Sequence, residues 1–473
     1  MPATTESVMS TALIRINTAN SSAKKNICSE STPLKLIKSS EKCINALLCT
    51  FFSANFNADA LFLVHIKNIL YLCSRKQKRQ LTMIDDVLYE FMREQLATTS
   101  HDFVRYLYPQ IDWTLRMFGL VGPRGVGKST LIKQHIIFEK DNQKALYISA
   151  DHSYFANHTL LEVASEWNKE GGTHLYIDEI HKYENWSTEL KNIYDGYGAL
   201  KVVFTGSSVL DLLKGQADLS RRAVMYTMQG LSFREYLEMF HSIKMPQYSL
   251  EDVIANKVDD TVLPHPLPLF RQYLQDGYYP FSKEGAFRSR LDQIITQTLE
   301  SDISQYASLS VSTGRKLRRL MAIVAQSAPF KPDYSSIANA LGVSRNVVPD
   351  YLIYMERAGM IGQLRDETGG VRSLGKVEKT YLDNTNIMYA LGADSTNKGN
   401  LRETFFFNQT RVVSDVISSG VSDFIIGDHT FEVGGKKKGK KQIEDVANGH
   451  IVKDDIEYGH GISIPLWTFG LLY

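Results

Sequence analysis

At 473 residues, with 43% apolar and 22% charged residues, the chain is too long for one ordinary core and too balanced to be collagen-like, disordered or membrane-embedded. Its net charge of +1 hides an asymmetry: residues 1–82 carry 11 Lys/Arg against 4 Asp/Glu, and the other 391 residues carry 42 against 48. That mildly acidic body gives no global reason to expect nucleic acid.

All four cysteines (Cys28, Cys43, Cys49 and Cys73) fall in the basic first stretch without zinc-ligand spacing, so the body has neither a disulfide framework nor a cysteine metal site. Asp59, His65 and Lys67 interrupt the apolar residues of 43–73 before about 20 accumulate, which argues against a membrane span. The first 40 residues are rich in Ser and Thr like an organellar transit peptide, but Arg15 is their one arginine. Residues 1–82 are expected to be a poorly ordered extension, or sequence upstream of a start at Met83, and the protein is expected to be cytoplasmic.

From Met83 the apolar spacing becomes regular, predicting a helix over 84–98 and an amphipathic stretch up to Arg116. Short apolar runs then recur at 117–121, 145–149, 174–177, 201–204 and 223–228, with helical patterns between them. Buried strands alternating with helices predict an α/β fold, a parallel sheet with helices on both faces. Residues 246–325 read as helical throughout, with a Pro-rich entry at 264–268 and helical patterns at 270–274 and 291–306.

GPRGVGKST at 122–130 fits the phosphate-loop pattern G-x-x-x-x-G-K-[ST]. Glycines let successive backbone N–H groups turn toward phosphate oxygens with no Cβ in the way. Gly122, Pro123, Arg124, Gly125, Val126, Gly127, Lys128, Ser129 and Thr130 are the candidate cradle for ATP, with Lys128 as its cation and Ser129 as a ligand for Mg2+. The loop lies between a strand and a helix, which is the context the chemistry needs and which a chance glycine-rich turn lacks.

HLYID ends a strand in Asp178 and Glu179, about 50 residues after Lys128. Asp178 is the candidate second metal ligand and Glu179 the carboxylate that orients the attacking water. His181 has no spaced partner and reads as a packed or surface residue. KVVFTGSS at 201–208 ends a third strand in hydroxyls, from which Thr205, Ser207 or Ser208 can reach a γ-phosphate or instead cap the helix after Val209. Arg221 and Arg222 precede the last strand, either as transition-state cations delivered by a neighbour or as a salt-bridged surface pair.

The phosphate loop taken with YIDEIHKYENW, VFTGSS, LSRRAV and GLSFREYL resembles prokaryotic P-loop ATPases of the AAA+ type that carry a winged helix and a C-terminal domain similar to PD-(D/E)xK nucleases. LFRQYLQDGYYPF at 269–281 and the ending FEVGGKKKGKKQI…IPLWTFGLLY are also similar to that group. The resemblance extends over about 83–473 and implies 83–245, a P-loop ATPase core; 246–325, a helical lid and linker; 326–375, a winged helix; and 376–473, a small α/β nuclease-like domain; residues 1–82, the expected extension, have no counterpart in that group.

Residues 334–361 read as a helix, a turn at Gly342 and a second helix capped by Ser344, with Ile337, Ala340, Leu341, Val343, Leu352 and Met355 as core. Arg345 and Asn346 are offset by Asp350 and Glu356, and Pro349 removes a backbone donor, so packing is favoured over base readout. SDFIIGDHTFEV predicts a hairpin turning at Gly427 and Asp428. In the nuclease-like pattern Asp423 and an E-x-K triplet hold magnesium. Here the triplet from Glu432 ends at Gly434, and Lys436 lies about 6.6 Å farther along a continued strand. Glu403 reads as a solvated helix acid. A degenerate nuclease-like domain is therefore expected, with Lys436, Lys437, Lys438, Lys440 and Lys441 as a phosphate-contacting patch or a solvated run.

These residues predict magnesium-dependent ATP hydrolysis coupled to movement of the C-terminal domains. An ATP-switched nucleic-acid-binding regulator and an ATP-regulated nuclease are the rivals, with a nucleic acid or a partner protein met through the C-terminal domains. An oligomer is compatible with the arginine pair.

Overall fold

The computed structural model describes residues 84–139, 144–206, 219–306, 311–367, 375–392 and 397–473. The expectations for residues 1–82, and those for Ser207 and Ser208, lie outside the described residues. Met83–Tyr473 forms one compact unit, and no helix among the described residues is long and apolar enough to cross a membrane.

Five short apolar runs form the first sheet: β1 (Met117–Val121), β2 (Ala145–Ser149), β3 (His174–Asp178), β4 (Lys201–Gly206) and β5 (Val224–Thr227). Their order is β2-β3-β4-β1-β5 and every pairing is parallel. β1 to β4 are almost wholly buried, because helices cover both faces and each strand feeds two cores by its alternation. Met117, Leu146, Leu175, Ile177, Val202 and Phe204 point to one core, against α3 (Leu160–Lys169) and α4 (Trp186–Gly196), with Leu88 of α1 (Asp86–Ala97). Phe118, Leu120, Tyr147, Tyr176 and Val203 point to the other, against α2 (Lys128–Phe138). α3 starts where Thr159 and Glu162 cap each other's backbone donors.

A second capping box, Ser232 with Glu235, opens α5 (Phe233–His241) and marks a change of core. From Phe233 to Leu472 the buried apolar residues form one continuous cluster. Helices α6 (Leu250–Ile254), α7 (Pro266–Gln272), α8 (Phe287–Gln297), α9 (Ile303–Tyr306) and α10 (Val311–Ser327) build its first part, with π-helical turns at Tyr273–Gly277 and Thr298–Asp302. α11 (Tyr334–Leu341) and α12 (Val348–Arg357) follow, then an antiparallel pair, β6 (Ile361–Arg365) with β7 (Val377–Leu382). After α13 (Thr385–Gly392) and α14 (Lys398–Thr410) comes a mixed sheet of β8 (Val416–Ser418), β9 (Phe424–Ile426), β10 (His429–Gly434), β11 (Gly449–Lys453) and β12 (Ser463–Pro465). β8, β9 and β10 pair antiparallel, β10, β11 and β12 parallel.

Several expectations change. β6 and β7 pair across residue 375, so a division there cuts a hairpin, and the core shared from Phe233 onward joins the lid, helix pair and final sheet. Ala338 rather than Ala340 faces the core of α11, because a helix advances about 100° per residue and Ala340 falls on the solvent side of Ile337 and Leu341. Ser344 takes the N-cap position of a 3-10 turn, Arg345–Val347, ahead of α12, without a side-chain capping bond. Pro349 then lies in the first helical turn, where its missing N–H has no bond to lose. The two-residue turn at Gly427 and Asp428 forms as the pattern predicts, with Ile426 facing His429 and Gly427 at φ +58.

Candidate nucleotide site

The 122–130 loop leaves β1 at the carboxyl end of the sheet and winds into α2, whose first residue is Lys128. Gly122, Gly125 and Gly127 have φ of 148, 77 and 98, a region open to glycine. A Cβ on Gly122 would come within 2.1 Å of the Met228 carbonyl oxygen, so the loop's close approach to the end of β5 also requires glycine.

Lys128 is buried, and its ammonium donates to the carbonyl oxygens of Gly122 (2.9 Å) and Pro123 (2.7 Å). Burial lowers its pKa to about 8, although Glu179 and Asp178 pull the other way. A cation held that way has a deficit of negative charge around it, which phosphate oxygens supply. Ser129 Oγ donates to Asp178 Oδ1 at 2.9 Å, so the loop and the end of β3 meet at two hard oxygen ligands. Magnesium binds through one or two protein oxygens plus phosphates, and this pair fits it. No group of three or more His, Cys, Asp or Glu residues suited to a metal occurs among the described residues.

Asp178 takes two further hydroxyls, from Tyr147 to Oδ2 (2.7 Å) and from Thr205 to Oδ1. β4 lies between β1 and β3, which puts Thr205 beside both loop and acid. Thr205 also accepts the Glu179 backbone N–H (3.1 Å). Its hydroxyl thus bonds both to the Asp178 carboxylate and to the Glu179 backbone. Glu179 has φ 50, and its Oε2 lies 3.4 Å from Nε2 of His181. Sequence reasoning left His181 out of the site, yet it is buried against the catalytic candidate. Burial drives its pKa down to about 3, so the ring is neutral.

Arg105 and Glu235 were also missed. The Arg105 guanidinium pairs with Glu235 (Nε to Oε1, 2.9 Å) and donates to the carbonyl oxygens of Val126, Gln229 and Gly230, bracing the back of the loop. In front, Arg124 Nε and Nη2 donate to the two carboxylate oxygens of Asp302 at 2.7 and 3.0 Å. Arg221 and Arg222 are not part of this cluster. β5 runs parallel to β1 with Val121 opposite Thr227, so the turn before Val224 lies at the far end of the sheet from the loop. There Arg222 makes a bidentate pair with Asp195 (2.9 Å to each oxygen), and Arg221 is exposed.

The C-terminal sheet gathers acids differently. Lys379 of β7 bridges Glu403 (3.0 Å) and Asp423 (3.1 Å), and Tyr381 donates to Glu403 at 3.0 Å. Glu403 is thus a partly buried, paired acid rather than a solvated one; burial, with Asp423 beside it, raises its pKa in spite of Lys379. Glu432 takes a hydroxyl from Ser422 at 2.6 Å and an ion pair from Lys438. β10 ends at Gly434, so it is Lys438 and not Lys436 that reaches the acid, folded back over the glycine.

Residues 115–237 match the family model described as an AAA domain, and residues 267–398 match a domain of unknown function (DUF8612). An uncharacterized protein of Methanocaldococcus jannaschii is 23% identical over 320 residues, covering 63% of this chain, and the chain spans 64% of that relative's length. Among solved structures, a Walker-type ATPase of Pyrococcus abyssi is 14% identical, covering 59% of this chain and 91% of its own, with a TM-score of 0.36. AMPPCP-bound DnaA from Aquifex aeolicus is 13% identical, covering 57% and 87%, with a TM-score of 0.24. Residues 115–237 are thus similar to an AAA domain over the five-stranded parallel sheet and phosphate loop described above, and residues 267–398 to a domain of unknown function.

Proposed function

We propose that the protein binds ATP with magnesium, hydrolyses its terminal phosphoanhydride bond, and uses the nucleotide state to reposition its C-terminal region. The observation that carries this is the meeting of Ser129 Oγ and Asp178 Oδ1, 2.9 Å apart, beside Lys128 and Glu179. The backbone N–H groups of 122–130 cradle the phosphates, and Lys128 neutralises them. Ser129 and Asp178 would hold magnesium, which when bound spreads the charge building on the phosphate oxygens. Glu179 orients the attacking water, with Thr205 fixing its backbone and His181 beside its carboxylate.

Given the register of β5, Arg221 and Arg222 reach a γ-phosphate only from a neighbouring copy, which makes an oligomer the active species for any such contact. Residues 334–382 act as a winged helix used for packing: α12 and β6 are stitched by Glu356 with Arg365, leaving Arg345 and Asn346 exposed for a partner. Nuclease chemistry is disfavoured, because Glu403, Asp423 and Glu432 are each neutralised by Lys379 or Lys438.

Phosphate release from ATP and magnesium tests the proposal. Lys128→Ala and Glu179→Gln are each expected to lower turnover by about 10²–10⁴-fold. Turnover unchanged in both variants would refute hydrolysis at this site.

A further inference from the structure

α8 and the turns after it carry an apolar stripe, Leu291, Ile295, Leu299 and Ile303, that faces the second core. Asp302 falls on that stripe and is only 2% exposed. A carboxylate in such a position loses its hydration, and it persists only with a partner of opposite charge. The partner is 178 residues away in sequence: Arg124, at the rim of the phosphate loop, gives it both Nε and Nη2. Asp302 closes the π-helical turn Thr298–Asp302, a wider winding than the α-helix on either side of it. Gly314 of α10 backs that turn, where a Cβ would come within 2.9 Å of the Glu300 Cα.

Three successive loop residues meet three separate segments of the second core. A Cβ on Gly359 would lie 2.7 Å from Cγ of Pro123, Arg124 holds Asp302, and a Cβ on Gly125 would lie 2.5 Å from the Phe281 ring. Two of these contacts are van der Waals contacts indifferent to charge, and the third is an ion pair that a second anion can contest. Asp302 lies near enough to act on both Lys128 and His181, so its charge is felt where the terminal phosphate of a nucleotide would lie.

We propose that Asp302 is the nucleotide-sensing residue of this site, competing with the γ-phosphate of a nucleoside triphosphate for Arg124, so that a triphosphate and not a diphosphate frees the Thr298–Asp302 turn from the loop. This inference rests on the ATP reading above. A guanidinium binds a carboxylate and a phosphoryl group through the same two-donor face, and the phosphoryl group carries more charge. A diphosphate ends at the depth of Lys128 and brings no rival for Arg124. The linkage is reciprocal, so any partner that draws the turn away from Arg124 raises triphosphate affinity.

Calorimetric titration with a non-hydrolysable ATP analogue and with ADP, each with magnesium, tests this on the full chain. In Asp302→Asn the analogue is expected to bind about tenfold more tightly than in wild type, and ADP within about threefold. Arg124→Gln is expected to weaken the analogue by a similar factor, and Arg124→Gln with Asp302→Asn to match Arg124→Gln alone. Arg124→Lys, which keeps the charge and loses the two-donor face, gives an intermediate value should Asp302→Asn fold poorly. Hydrogen exchange of the 298–302 amides in wild type is expected to quicken with the analogue and not with ADP. Equal analogue affinity in wild type and Asp302→Asn, or unchanged exchange with the analogue, overturns the sensing role alone. A wild type that binds neither nucleotide overturns the ATP reading and the sensing role with it.

Discussion

Carboxylates gather beside both sheets of this protein, and the difference lies in what those carboxylates are bonded to. At the first sheet Asp178 is held by three neutral hydroxyls, from Ser129, Tyr147 and Thr205. A hydroxyl fixes the position of a carboxylate and leaves its charge in place for a cation. At the second sheet Glu403 and Asp423 share the ammonium of Lys379, and Glu432 holds that of Lys438. An ammonium fixes the position and cancels the charge. Acids are thus left charged at one sheet, as the proposed magnesium site requires, and join secondary structures at the other, with Lys379 tying the β6–β7 hairpin to α14 and to Asp423 before β9.

The sharpest way to break this contrast is to remove one charge from each sheet. Asp178→Asn keeps the shape, removes the charge and turns one acceptor oxygen into a donor, and is expected to lower ATP turnover about 10²–10³-fold, whereas Glu432→Gln is expected to leave turnover within about threefold. Equal losses in the two variants would show that the second sheet takes part in the chemistry. A smaller effect is expected from pH. Lys128 is charged below pH 8 in the free protein, and phosphates stabilise that charge. Above pH 8 the free protein gives up the proton that binding must restore, so nucleotide affinity is expected to fall by up to about tenfold per pH unit, while staying flat from this group between pH 6 and about 7.5. The fold responds with the opposite sign: the unfolded chain holds that proton to an ordinary value of 10.5, so stability from Lys128 rises between pH 8 and 10.5. Fluorescent-nucleotide titrations and denaturant curves over that range measure both; a flat affinity would place the ammonium outside the phosphate site.

The first sheet was legible because its signals are local. β1 to β4 are continuous apolar runs buried on both faces, and the loop between β1 and α2 has fixed glycine spacing, so strand, loop and acid pair follow from neighbouring residues. The partners that tune the site come from far along the chain. Tyr147 looks like any strand aromatic, and nothing at position 147 announces Asp178, 31 residues away at the end of the next strand. Asp302 did carry a signal, an acid on the stripe of Leu291, Ile295, Leu299 and Ile303, which needs a buried cation to explain it. His181 is packed, as one of its two readings had it, but its place beside Glu179 is set by the turn at Glu179, whose φ of 50 is a property of the folded backbone. The shared core from Phe233 to Leu472 was illegible for a related reason, since it is built by contacts between residues with no sequence proximity.

The smallest expected effect tests whether hydroxyl support at Asp178 is shared or concentrated in one residue. Tyr147→Phe removes a single hydrogen bond of 2.7 Å and leaves the ring, which is buried in the core beneath α2. A hydrogen bond to a charged group contributes about 1.5–3 kcal/mol when lost in full, but Ser129 and Thr205 continue to hold Oδ1, so only the Oδ2 side of the carboxylate is released. Turnover is expected to fall about three- to tenfold, with a rise in the magnesium concentration needed for half-maximal rate and little change in ATP affinity without metal. A loss as large as that of Asp178→Asn would mean that Tyr147 alone sets the acid's position. No change in the magnesium dependence would mean that Oδ2 faces away from the cation, and the Ser129 side of Asp178 carries the metal by itself.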